Sequence, residues 1–105
     1  MNHEPHNQLL SPGTRPRLAA KARVQTDKLS GKLVLLYPEG VLLLNETGAA
    51  IVELCDGQRT FQELVATLSE RYGSSPDRLS ADVAEYLDRL RKRGLLDLIS
   101  EGDGQ

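Results

Sequence analysis

Residues 33–45 read LVLLYPEGVLLLN, from Leu33 to Asn45. Two apolar runs flank Pro38-Glu39-Gly40, a pairing of hydrophobic segments around turn residues that predicts a β-hairpin. A strand with one face on a core and the other in water alternates apolar and polar side chains. Neither run alternates. Leu33 to Tyr37 are all apolar or aromatic, and so are Val41 to Leu44. Both faces of this hairpin therefore call for cover.

Upstream, RVQTDKLSGK supplies a more polar strand over Val24 to Leu29 and a turn at Ser30-Gly31. The expected sheet is a three-stranded antiparallel meander. Pro38 falls where a ladder N–H is dispensable, and Gly40 permits a positive φ. The first strand carries Arg23, Gln25, Asp27 and Lys28, the way natural edges discourage further pairing. The third strand is the other edge, and it bears no charge at all before Asn45.

Three helices follow. Asn45 is placed to cap the first, with Glu46 near the positive end of its dipole, and Thr47, Ala50, Ile51 and Leu54 recur at helical spacing. Asp56-Gly57 closes it. Thr60-Phe61-Gln62-Glu63 fits a capping box, and Phe61, Leu64, Val65, Leu68 and Tyr72 form one stripe ending at Gly73. The third helix starts near Pro76 or Ser80 and runs to about Arg93, with Leu79, Val83, Tyr86, Leu87 and Leu90 inward. Leu95-Leu96 is expected to fold back onto the core. The fold class is α+β: a small winged-helix-like domain, a three-stranded antiparallel sheet followed by three helices, with one shared core. Residues 1–14 are assigned to a disordered arm, 15–96 to the domain and 97–105 to a flexible tail.

The 105 residues suit one domain, and 39% hydrophobic with 27% charged is ordinary for a soluble globular chain. With no Trp and one Phe, the core must be aliphatic. No apolar run approaches the roughly 20 residues of a membrane helix, and the opening lacks the basic and apolar regions of a secretory signal. A single cysteine fits a reducing cytoplasm. Charge is uneven. Residues 1–32 hold six basic and two acidic side chains, net +4, and the remainder seven and thirteen, net −6. A basic arm lying on an acidic body accounts for this, as does a partner of opposite charge on either surface.

No catalytic set assembles. His3 and His6 lie in the loose arm, where H-x-x-H spacing has no fixed geometry for a metal. Cys55 has no adjacent base and reads as a small buried hydrophobe. Glu39, Glu46, Glu53 and Glu63 fall in a turn, at a cap and on polar helix faces. There is no phosphate loop and no G-x-S-x-G. The expectation is a protein that is not an enzyme and holds no cofactor.

What covers the third strand is then the functional question. Either the arm around Leu18, Ala19, Ala20 and Ala22 folds across it, or two copies pair, or an extended peptide adds to Val41–Leu44 by β-augmentation, with the third helix as opposite wall.

The succession LVLLYPEGVLLLNETG, LCDGQRTFQEL and ADVAEYLDRLRKRGLL resembles the pyrroloquinoline quinone biosynthesis protein D family, over roughly Arg15 to Leu96. The resemblance implies a peptide chaperone that binds the leader of a ribosomal precursor peptide. It implies presentation of that peptide to a radical S-adenosylmethionine enzyme, which joins a glutamate to a tyrosine. Iron–sulfur clusters and S-adenosylmethionine would belong to that partner enzyme. The implied groove lies between third strand and third helix: Val41, Leu42, Leu43 and Leu44, with Asp82, Val83, Tyr86, Leu87 and Leu90 opposite, several of which must face the core. Leu43→Lys or Leu44→Lys is expected to weaken leader binding on a folded domain. The pattern is shared with leader-binding domains of other peptide pathways, and the short independent chain favours the quinone one. No membrane or nucleic acid is implied, and the chain would be a monomer or homodimer.

The rival is a winged-helix DNA-binding transcriptional regulator. A recognition helix reads bases from its N-terminal part. Here that part carries Asp77, Asp82 and Glu85, while Arg89, Arg91, Lys92 and Arg93 crowd the far end. A scaffold that binds only the enzyme is a third reading.

Overall fold

The structure, a computed structural model, describes residues 10–100. His3 and His6, most of the arm and residues 101–105 lie outside them. Strands β1 (Arg15–Leu18), β2 (Arg23–Thr26), β3 (Leu33–Tyr37) and β4 (Gly40–Leu43) precede helices α1 (Glu46–Glu53), α2 (Phe61–Tyr72) and α3 (Pro76–Lys92). Strand β5 (Leu96–Ile99) follows, the final element among the described residues. The expected meander β2-β3-β4 is present, with Leu35 opposite Leu42 and Tyr37 opposite Gly40.

Local signals set the helix ends. Asn45 accepts from the Gly48 N–H at 2.7 Å, and only Leu44 separates it from the end of β4, so the strand leads almost straight into α1. Thr60 and Glu63 form the reciprocal capping box of α2, and Gly73 ends it in the left-handed region at φ 71°. Ser75 caps α3 with Pro76 in its first turn, where the missing N–H costs nothing.

Three details refine or depart from the sequence expectation. Gly40 does not take the positive φ open to it, so Pro38-Glu39 turns without a left-handed residue. Leu29 belongs to the turn rather than to β2 and is exposed. The largest difference is a second sheet: β1 and β5 pair antiparallel, Arg15 opposite Ile99 and Leu18 opposite Leu96. Residues 97–99, assigned above to a tail, are strand.

Physical reasons for the second sheet lie in its neighbours. The Pro16 carbonyl accepts from the Gly57 N–H at 2.8 Å, so that side of β1 faces the α1–α2 loop. The N–H that proline lacks would point the same way and is not missed by β5. Leu18 N–H reaches the Cys55 carbonyl and Ala19 N–H the Leu95 carbonyl. Pro12 and Thr14, placed in the arm by sequence, give their carbonyls to the N–H groups of Gln62 and Phe61 at the start of α2. Those first-turn donors have no partner inside their own helix.

The core fills the space between the meander and the helices. Leu35, Leu64, Leu68, Leu87 and Leu95 are fully buried, with Ile51, Val65, Val83 and Leu90 around them. Leu95 and Leu96 do fold back onto it. Cations of the N-terminal segment also meet acids of the body, Arg17 with Asp97 at 3.5 Å and Lys21 with Glu39 at 3.6 Å. These exposed pairs fit the basic segment lying on an acidic body, and each contributes little stability.

Candidate functional site

The arm that sequence left free to cover the third strand is committed to β5, and β4 pairs only with β3 among the described residues. The register identifies which main-chain groups remain open. Leu44 N–H bonds the Leu33 carbonyl at 3.2 Å. Antiparallel pairs alternate, so Leu42 and Gly40 also face β3, and the N–H and C=O of Val41 and Leu43 point outward. Side-chain exposure alternates in step. Val41 is 57% and Leu43 77% exposed, whereas Leu42 is half-buried and Leu44 only 4% exposed. The run that looks two-faced in sequence thus has an inner and an outer side.

Beside this edge lies an open cleft of ≈ 1290 Å³. Leu42, Leu43 and Leu44 form one wall, and Tyr86 and Leu90 of α3 stand in another. The remaining predicted wall residues fall elsewhere. Val83 and Leu87 are core, Asp82 is exposed away from the cleft lining, and Val41 sits on the outward edge. Sequence reasoning missed Ala49 and Ala50 of α1, the α2 end at Arg71 and Tyr72, and the cations Arg89 of α3 and Arg93 just past its end. Tyr72 had been read as part of the inner stripe of α2, yet it is exposed.

The polar groups nearby have other occupations. Burial, reinforced by the Asp56 charge, pushes the Cys55 thiol up to about 12, and its Sγ donates to the Ile51 carbonyl at 3.2 Å. Asp56 is held below the ordinary carboxylate range by the N–H groups of Arg59 and Gln58. Glu63 is lowered by the Thr60 N–H of the capping box, and Glu39 faces Lys21. Burial raises the Tyr86 phenol above its ordinary value. Among the described residues no group of three His, Cys, Asp or Glu side chains is placed to hold a metal, and no helix is long and apolar enough to cross a membrane.

A family model described as coenzyme PQQ synthesis protein D (PqqD) matches residues 32–96, from the hairpin to the start of β5. The chain belongs to the PqqD family. Relatives within it include a protein named PqqA binding protein from Methylococcus capsulatus, 40% identical over 85 residues, covering 81% of this chain and 89% of the relative. The PqqA binding protein of Azotobacter vinelandii is 40% identical over 83 residues, covering 79% and 89%. Solved PqqD structures share the fold. The solution structure of the PqqD part of Methylobacterium extorquens PqqCD superposes with a TM-score of 0.71 at 29% identity, covering 84% of this chain and 94% of that one. That domain is described as a functional, stand-alone recognition element for ribosomally synthesised and post-translationally modified peptides. The crystal structure of PqqD from Xanthomonas campestris gives 0.53 at 28% identity, over 76% and 89%. The α+β architecture read from the sequence is the PqqD architecture.

Proposed function

We propose that this protein binds the leader of the ribosomal precursor peptide of pyrroloquinoline quinone by strand addition to β4. It then presents that peptide to a radical S-adenosylmethionine enzyme for Glu–Tyr cross-linking. The open edge of β4 beside an apolar cleft carries this reading. An extended segment laid against it meets the outward groups of Val41 and Leu43, while its alternate side chains enter the cleft. Relatives named for binding PqqA and the recognition-element description of the Methylobacterium domain support the same reading.

The protein itself performs no bond chemistry in this proposal. Cytoplasmic tethering of leader to enzyme raises the local concentration of the modifiable residues and makes their encounter effectively intramolecular. The iron–sulfur chemistry resides in the partner. The DNA-binding alternative finds little support on α3, where Asp77 and Asp82 are exposed in the N-terminal half and Glu85 just beyond it. Arg89 pairs with Glu85, and Arg91 and Lys92 pair with Asp88.

Titrating leader peptide and enzyme separately and together tests the proposal, with amide exchange as the local readout. The Val41 and Leu43 amides are expected to exchange rapidly in the isolated protein and to become protected when leader is added. Unchanged exchange at both, or tight binding of arbitrary duplex DNA with a steep salt slope instead, would refute it.

A further inference from the structure

The joint between α1 and α3 has a feature that the peptide cleft alone does not require. Gly48 lies in the first turn of α1, where glycine has a lower helix propensity than alanine. It is buried and does not take a positive φ, so its backbone needs no glycine. What it lacks is volume. A methyl group on Gly48 would lie 2.5 Å from the Tyr86 hydroxyl oxygen and 3.0 Å from both the Tyr86 Cζ and the Asn45 Oδ1. The end of the Tyr86 ring therefore occupies the place a side chain would fill.

We propose that Gly48 is a positioning residue that sets the aperture of the cleft by seating Tyr86 against α1. This rests on the peptide-binding reading above. Tyr86 is half-buried, and its open side is the cleft that Leu42, Leu43 and Leu44 face. Its neighbours along α3, Val83, Leu87 and Leu90, are buried in the core, so the helix backbone is held on that side. A ring displaced from Gly48 has the cleft as its free direction. Seated, it leaves the path along β4 clear. Asn45 ties the same joint to the strand, because its side chain holds the Gly48 N–H while its backbone continues β4. The hydroxyl makes no hydrogen bond to another described residue and is needed neither for the cap nor for the core.

Gly48→Ala tests this by isothermal titration with the leader peptide, beside thermal melting. The alanine favours the helix, while overpacking drives the ring into the peptide's path, and affinity is expected to fall about tenfold. Gly48→Ala combined with Tyr86→Phe removes the atom in closest conflict and is expected to recover most of that loss. Tyr86→Phe alone is titrated as the reference for the double variant, so that whatever the hydroxyl itself contributes to leader binding is divided out of the comparison. Parent-like affinity in Gly48→Ala overturns the proposal and leaves the peptide reading intact. So does a double variant no better than the single one, because the glycine then acts by some route other than Tyr86. If Gly48→Ala does not fold, the double variant decides: folding and binding support the proposal, and loss of either overturns it. A parent protein that binds no leader is a different failure, that of the underlying function.

Discussion

Leu43→Lys separates surface from core at the open strand. Leu43 is 77% exposed in the isolated protein, and a peptide seated along β4 withdraws that surface from water. Fully burying a leucine gains roughly 1.5–3 kcal/mol, so the 77% still exposed corresponds to about 1.2–2.3 kcal/mol of binding. In dissociation constant that is roughly 7- to 50-fold. Lysine forfeits this gain and adds the charge that natural edges use against further pairing. The fold has little stake in the position, so the melting transition should be nearly unmoved. Isothermal titration with the leader peptide, beside a thermal melt of the same sample, gives both readings. A leader affinity equal to that of the parent, on a protein that melts normally, would refute the assignment of β4 as the docking edge.

Leu44, one residue on, behaves oppositely: at 4% exposure, Leu44→Ala should lose about 2–5 kcal/mol in urea denaturation, and Leu44→Lys should unfold the domain rather than report on binding. The Cys55 thiol, raised to about 12 by burial, should resist an alkylating reagent at mildly alkaline pH and react only when the protein unfolds, as followed by mass spectrometry. Glu63 has its folded pKa depressed by the Thr60 N–H, so its contribution to stability is present above the ordinary carboxylate range and is lost as pH falls through the depressed value. Glu63→Gln should therefore flatten the acid limb of the melting temperature against pH; an unchanged limb would show that the capping box does not carry it.

Features decided by a few neighbouring residues were legible in the sequence. The hairpin around Pro38-Glu39, the Asn45 cap and the Thr60–Glu63 box each close within about four residues, and each is present. The β1–β5 sheet was not legible, because Arg15 meets Ile99 across most of the chain and Pro16 argues locally against a strand. At the candidate site, the lack of alternation in Val41–Leu44 drew attention to β4 but could not say which side was open. That depended on the bond from Leu44 to Leu33. On α3, helical spacing grouped Val83, Tyr86, Leu87 and Leu90 on one face. Two of these fill the core, while Tyr86 and Leu90 also reach the cleft. The difference is less than one helical turn in angle, and it is fixed by where β4 and α1 stand. Arg71 and Tyr72 join the cleft from the end of α2 for the same reason, and no local pattern announces them.

The second sheet bears on function because the N-terminal segment is the natural competitor for β4. It is covalently present at high effective concentration, and its cations can reach the acidic body. Pairing β1 with β5 removes it from that competition. The Pro16, Leu18 and Ala19 groups are bonded to Gly57, Cys55 and Leu95, and Pro12 and Thr14 serve the first turn of α2. Each of these bonds would have to break before the segment could move to β4, and the N–H groups of Phe61 and Gln62 would then need new partners. A strand edge left open beside an apolar cleft is a liability in a protein with no use for it. Here the chain pairs its own spare strand with β5 in a separate sheet, and in the proposed function that leaves the β4 edge to a segment from another chain.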